Sequence, residues 1–345
     1  MDHRLAEAFS SQSKSCESLG SSFTAALMLL LPEVLAFAPR LFKRLLEWPG
    51  DVSSRGASLP LRVAGGLHFL VRAGKVPDLA KAYPPNQSGG LEPALRLALE
   101  RYDDWLCEWV KLPPQTNEVG RSAVLIAAAR WVATQTALPL RLSELGASAG
   151  LNLNFDRYAL VPDGSSRARD GGVLLRPDWS GQMPQERRLE IVERRGVDLS
   201  PMHPDLDAER LIAYVWPDQL DRLERATMAL ELAREFAVPV DKGDAAEWLS
   251  KRLNPASESS CHFVFHTIAH QYFPVETKAK IAAAMQSAGA LATPQRPLAW
   301  FGMEADANPN GAALTLRLWP GDQRVSMGRA GFHGQWVNWK VQRLN

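Results

Sequence analysis

The stretch LRLSELGASAGLNLNFDRY, Leu140 to Tyr158, decides the fold. A short apolar run ends in small residues and passes to a new segment, the texture of a parallel strand that turns sharply into a helix. Small side chains let a ligand approach the backbone amides of such a turn, and a helix N-terminus beyond it favours anionic groups. The centre, GASAG, also fits the G-x-S-x-G elbow of serine hydrolases, which would make Ser148 a nucleophile. The turn alone serves both readings, so its surroundings have to separate them.

Downstream of Pro139, short apolar runs alternate with helix-length segments, as in βαβ units around a parallel sheet. The pattern predicts strands at 140–145, 190–197, 237–241, 262–266, 297–303, 313–319 and 323–327, with helices at 204–213, 219–236, 245–253 and 274–288. WPGDQ, between the last two strands, is short enough for a hairpin and predicts an antiparallel end to the sheet. Residues 159–185, rich in Gly, Arg, Pro and Asp, interrupt the alternation as a surface excursion. Upstream, helices are expected at 2–17, 22–45, 60–72 and 91–110, separated by Pro, Gly and Ser clusters, with a further helix over Arg121–Thr134. The expected organisation is a helical N-terminal region, 1–125, followed by an α/β domain, 126–345, with an insertion near 159–185.

Composition narrows the function classes. The chain of 345 residues has 39 basic and 38 acidic side chains, a formal charge of +1, and no basic tract. That argues against a nucleic-acid partner. Three cysteines lie far apart with no C-x-x-C, which suits a reducing compartment, and the run FTAALMLLLP, Phe23 to Pro32, is about half of what a membrane span needs. A cytoplasmic protein is expected. No phosphate loop of the G-x-x-x-x-G-K-S/T type is present, which disfavours an ATPase.

Carboxylates recur where the strands end. Glu144 precedes the glycine turn, Asp198 ends the second strand in IVERRGVDLSPM, and Asp244 follows the third in GDAAEWL. In open α/β sheets ligands bind outside the carboxyl ends of the strands. One charged hydrogen bond is worth about 1.5 to 3 kcal/mol, so three acids at successive strand ends describe a pocket for a nucleoside. Asp198 and Asp244 equally suit capping of the turns that follow them.

The run ELGASAG, then GVDLSP, then GDA, resembles the successive signature loops of class I S-adenosylmethionine-dependent methyltransferases over about 140–330. PPQTNEVGRSAVL, LRLSELGASAGLNLNFDRY, VWPDQLDR and GDA also resemble, over the full length, a family of uncharacterised bacterial proteins with a domain of unknown function. The first resemblance implies a Rossmann-like, mostly parallel sheet binding S-adenosyl-L-methionine. Glu144, Gly146 and Gly150 would then shape the methionine end, Asp198 would take the ribose hydroxyls, and Asp244 with Ala245 would face the adenine, while Ser148 is read as a turn residue of the cofactor loop that donates a hydrogen bond to the ligand. The chain departs from that pattern in Ser148, where a glycine is usual, and in the 48 residues from Gly150 to Asp198, where about 20 is the ordinary spacing. The assignment therefore requires 159–185 to be an insertion.

Other candidates surround this core reading. His266, at the end of HFVFHT, suits an acceptor-side or general-base role. The loop PPQTNEVGR supplies Gln115 and Asn117 as substrate contacts and Glu118 and Arg121 as catalytic candidates, with an ordinary helix cap as the alternative. Trp216 is a candidate pocket wall. His262, His266 and His270 are four apart, but on a strand that spacing does not converge, so no metal is expected. The expected function is a methyltransferase acting on a small molecule. The alternatives are a serine hydrolase, with Asp306 or Asp244 and His333 or His266 completing a triad, and a non-catalytic Rossmann-like protein. Oligomeric state is left open.

Overall fold

A computed structural model describes residues 3–162, 172–253 and 259–344. The chain divides into two compact units, one comprising Met1–Thr116 and Leu206–Thr227, the other Asn117–Asp205 and Met228–Asn345. The second segment of the first unit differs from the sequence expectation, which assigned everything beyond 125 to the α/β domain.

The first unit is helical. Its helices are His3–Ser18, Ser22–Val34, Pro39–Leu46, Leu59–Arg72, Pro77–Ala82, Leu91–Arg101 and Asp103–Trp109, joined by Ala208–Ala213 from the later segment. The helix expected over 22–45 is broken at Ala38, where Pro39 begins a new first turn. Leu27, Met28 and Leu31 of the apolar run are buried in the core of this unit. No single described helix is long and apolar enough to cross a membrane, although the bent pair Ser22–Phe37 and Pro39–Leu46 passes by length and composition.

Burial explains why 206–227 belongs here. Tyr214 and Trp216 join the helical core, Gly65 packs directly against the Tyr214 ring, and Trp109 stacks with Tyr214 at 6.0 Å. His68 lies 3.2 Å through Nδ1 from the Ala213 carbonyl, and burial pushes its pKa down to about 4. Asp218 accepts hydrogen bonds from Ser21 Oγ at 2.5 Å and Phe23 N at 3.0 Å, so it satisfies the start of the helix Ser22–Val34.

The second unit is a mixed α/β unit built on one large sheet. In chain order its strands are β1 Leu140–Leu145, β2 Ala159–Leu160, β3 Leu174–Leu175, β4 Asp178–Ser180, β5 Ile191–Asp198, β6 Val240–Lys242, β7 Cys261–Thr267, β8 Leu298–Glu304, β9 Ala312–Trp319, β10 Gln323–Ala330 and β11 Trp336–Leu344. The nine-stranded sheet has the order β4-β11-β10-β9-β8-β7-β1-β5-β6. Pairings from β6 through β8 are parallel, and β8 to β11 form an antiparallel meander. The expected hairpin joins β9 and β10, but the sheet edge beyond β11 is β4, which runs parallel to it. β11 was not expected, because only Val337, Trp339 and few neighbours carry the inward alternation of WVNWKVQRL.

β1 lies between β5 and β7, and the direction of travel across the sheet reverses beside it. One face packs Leu145, Val197 and Val264 against Leu249, Ile281 and Met285 of the helices Ala245–Arg252 and Val275–Ala290. The other carries the rings of Phe263, Phe265, Phe301 and Phe155. Residues 163–171 of the expected insertion lie outside the described residues. Its described parts form the β2–β3 pair and carry β4 to the far edge, after which the chain returns to pair β5 directly with β1.

Replacing Asp218 with Ala removes both acceptors from the helix start, so a loss of about 1–2 kcal/mol is expected. Urea denaturation measures that loss. Limited proteolysis of the variant is expected to cut faster within 206–227 than in the parent.

Candidate functional site

The turn after β1 is held from the neighbouring strand. Gly146 N and Ala147 N donate to the Val197 carbonyl at 2.9 and 3.0 Å, and Ser148 N donates to Asp198 Oδ2 at 2.9 Å. Asp198 Oδ1 accepts from Ser200 N at 2.9 Å, and Met202 N donates to the Ser148 carbonyl at 3.2 Å. Gly146 and Gly150 have φ +76° and +71°, which glycine adopts freely. Ser148 shares that region at +51°, an uncommon conformation for a residue with a Cβ. The segment beyond is a 3₁₀ turn, Leu151–Arg157, instead of the α-helix the pattern suggested.

β5 settles the position of Asp198. Leu145 pairs with Val197, so Asp198 stands one residue beyond, at the carboxyl end of the strand beside β1. Glu144 is opposite Gly196 on β5 and Phe265 on β7, which puts its side chain on the Phe265 face of the sheet. It is 1% exposed. Burial first, then the nearby Asp198 charge, raise its pKa well above the usual carboxylate range, against a hydrogen bond from Asn152 and the attraction of Arg121. Asn152 is oriented by Ser122, whose Oγ donates to its Oδ1 at 2.8 Å. Glu144 Oε2 and Ser148 Oγ are both buried without a hydrogen-bond partner.

The loop expected to line the pocket contributes from Asn117 onward. Asn117 Oδ1 accepts from Leu151 N at 2.9 Å, which ties the loop to the end of the glycine turn. Glu118 is buried and accepts from Gly120 N at 3.0 Å, so it caps the 3₁₀ turn Val119–Arg121. Arg121 is buried and donates from Nε to the Phe332 carbonyl at 2.9 Å and from Nη1 to the Thr267 carbonyl at 3.1 Å. Gln115 and Trp216 belong to the helical unit, where Trp216 is a core residue with the Arg222 guanidinium 5.6 Å from its ring centre. Asp244 caps the helix Ala245–Arg252, with Oδ1 accepting from Ala246 N at 2.9 Å and Glu247 N at 3.1 Å, while Thr277 Oγ1 donates to Oδ2 at 3.2 Å. Ala245 is buried at the start of that helix.

His266 is one residue beyond Phe265, so it faces away from Glu144. Both ring nitrogens are engaged: Trp300 Nε1 donates to Nε2 at 3.0 Å, which leaves Nδ1 to donate to Glu304 Oε1 at 2.7 Å. A ring so committed is a structural pin, which corrects the expectation of a general base facing the same crevice as Glu144. Glu304, which sequence reasoning missed, also accepts from the backbone amides of Ala269, His270 and Gln271 at 3.1–3.2 Å. Burial opposes its charge, but His266 and these amides hold its carboxyl below the usual range. His270 stacks on His266 at 4.6 Å between ring centres, and burial pushes its pKa down to about 4. Ala269 lies against Gly146, where an added Cβ would come within 2.6 Å of the Ala269 methyl.

His262 lies through Nε2 2.8 Å from Ser143 Oγ. Among the described residues no group of three or more His, Cys, Asp or Glu side chains is placed to hold a metal.

The chain is thus an α/β protein with a mostly parallel sheet and a polar site at the ends of its central strands. The model of a family described as an uncharacterized protein conserved in bacteria (DUF2332) matches residues 6–339, and the chain belongs to that family. No curated protein matches the chain.

Glu304→Gln removes the charge that collects three loop amides and the His266 ring. Hydrogen exchange at Ala269, His270 and Gln271 is expected to accelerate at least tenfold, the equivalent of about 1.4 kcal/mol, while exchange at Leu142 in β1 stays unchanged.

Proposed function

We propose that this chain binds S-adenosylmethionine at the carboxyl ends of β1 and β5 and is a methyltransferase acting on a small molecule. The observation that carries the reading is the buried Glu144 oxygen without a partner, next to a second carboxylate and beside the reversal of the sheet order. An unpaired buried acceptor costs about 1–3 kcal/mol, and open α/β sheets bind ligands at this topological position. The parallel strands run β6-β5-β1-β7-β8, the order 3-2-1-4-5 of a doubly wound sheet when counted along its parallel members. The family match itself brings no activity.

Glu144 suits the ligand's ammonium, Ser148 Oγ suits a hydrogen bond to its carboxylate, and Asp198 retains acceptor capacity for ribose hydroxyls beyond its two amide bonds. The ligand, when bound, supplies an activated methyl group. The protein's part is to orient the two reactants and exclude water. Asp244 enters this reading through the helix it caps. A small-molecule acceptor is proposed because the charge balance carries no nucleic-acid signature.

A serine hydrolase needs a histidine on the nucleophile. Ser148 Oγ touches none, His266 faces the other side of the sheet, and Asp306 is held by Arg329 at 2.8 and 2.9 Å. The hydrolase is therefore the weaker reading.

S-adenosylhomocysteine is expected to raise the melting temperature of the protein saturably. Asp198→Asn, which keeps one acceptor oxygen for the turn, is expected to weaken binding at least tenfold. No heat of binding by calorimetry at millimolar ligand would end the cofactor reading, whereas trapping of Ser148 by a fluorophosphonate would favour the hydrolase.

A further inference from the structure

The Glu144 carboxyl has an unusual set of neighbours for a buried acid. Asn152 engages one oxygen, and Oε2 has no partner. From β5 it faces Asp198, a like charge, and from the turn before the helix Ser122–Thr136 it faces Arg121. The Arg121 guanidinium donates to the carbonyls of Thr267 and Phe332 and is the weakest of the influences on Glu144. Tyr158, which also senses the Glu144 charge, is turned to the Leu151 carbonyl, with its hydroxyl donating at 2.6 Å. No ion pair to Glu144 occurs among the described residues. Two acids therefore lie together here, and the Arg121 guanidinium that favours the Glu144 charge is hydrogen-bonded to two backbone carbonyls.

We propose that ligand uptake at this pocket is proton-coupled: Glu144 carries a proton in the ligand-free protein and releases it to solvent when a ligand ammonium takes its place. The step exchanges one cation for another at Oε2. The carboxylic acid becomes a carboxylate paired with the incoming ammonium, and the proton leaves to buffer. A neutral ligand lacks the cation needed for this exchange. The inference rests on the cofactor reading above and specifies the part of the ligand that Glu144 recognises, a primary ammonium.

The same geometry sets the sign of the pH dependence of the free protein. Between the ordinary glutamate range and the raised value in the fold, the folded state binds one more proton than the unfolded chain. Stability therefore falls as pH rises through that window and becomes level above it. Glu144→Gln keeps the Asn152 contact, has no proton to lose in the unfolded chain and so abolishes this slope. The variant is expected to melt higher than the parent at neutral pH while binding S-adenosylhomocysteine at least tenfold more weakly.

Two measurements test the proposal. Infrared difference spectra of ligand-free parent against Glu144→Gln at neutral pH are expected to show a carboxylic-acid carbonyl band that the variant lacks. Calorimetry with S-adenosylhomocysteine in phosphate and in Tris at one pH is expected to show release of close to one proton. Release should be absent for Glu144→Gln and for 5′-methylthioadenosine, which has no ammonium. Absence of the infrared band overturns the proposal whatever binds. Binding of S-adenosylhomocysteine without proton release overturns the coupling alone, and a band with no binding overturns the coupling together with the cofactor reading.

Discussion

Asp198 closes the turn on which the site depends. Its two oxygens take the amides of Ser148 and Ser200, so one carboxylate fastens the glycine turn of β1 to the exit of β5. The Val197 carbonyl and Met202 amide complete the attachment. A charged acceptor on two backbone amides is a strong restraint, and it acts where the chain passes through three left-handed residues within five positions. With the turn held, Glu144 stays under it and out of water. The acid that fixes the loop is also the acid whose charge disfavours ionisation of Glu144.

The polar clusters on the two faces of the sheet differ in how their carboxyls are satisfied, while His270 Nε2, on the ring stacked against His266, is itself buried without a partner. Around Glu304, the carboxylate, the His266 ring and the Trp300 indole satisfy one another, and three loop amides are drawn in. Such a network makes a rigid wall. Around Glu144, two atoms remain without partners within a few residues of each other. Buried polar groups in folded proteins are rarely left so. A one-residue step along β7, from Phe265 to His266, separates the two environments, because side chains alternate across a strand.

Much of the sheet was legible. β1, β7, β8 and β9 announce themselves as apolar runs bounded by Pro, Gly and polar residues, and Asp198 falls on its strand end although it stands 48 positions after Gly150, because the excursion through β2, β3 and β4 returns the chain to β1. Segment 206–227 misled because helical periodicity says nothing of which core a helix joins; that was decided by Tyr214 and Trp216. Glu304 was invisible for a related reason. Its partners are a ring 38 positions away and three amides over thirty positions away, and no local pattern encodes such pairings. His266 was correctly picked as a strand-end residue, but its face follows from register with β1, which sequence alone does not supply.

Ser148 returns the question to LRLSELGASAGLNLNFDRY. A side chain at φ +51° costs about 1–2 kcal/mol relative to glycine, and a buried hydroxyl without a partner costs about 1–3 kcal/mol more. Glycine at this position would avoid both. In the ligand-free protein the hydroxyl thus stabilises nothing, and no histidine is bonded to it that would make it a nucleophile. Ser148 Oγ and Glu144 Oε2 are both buried without a hydrogen-bond partner, and under the proposed cofactor reading a ligand carrying a carboxylate and an ammonium on one carbon would engage both, which would tie the unfavourable backbone of the turn to the same chemistry as the acid beneath it.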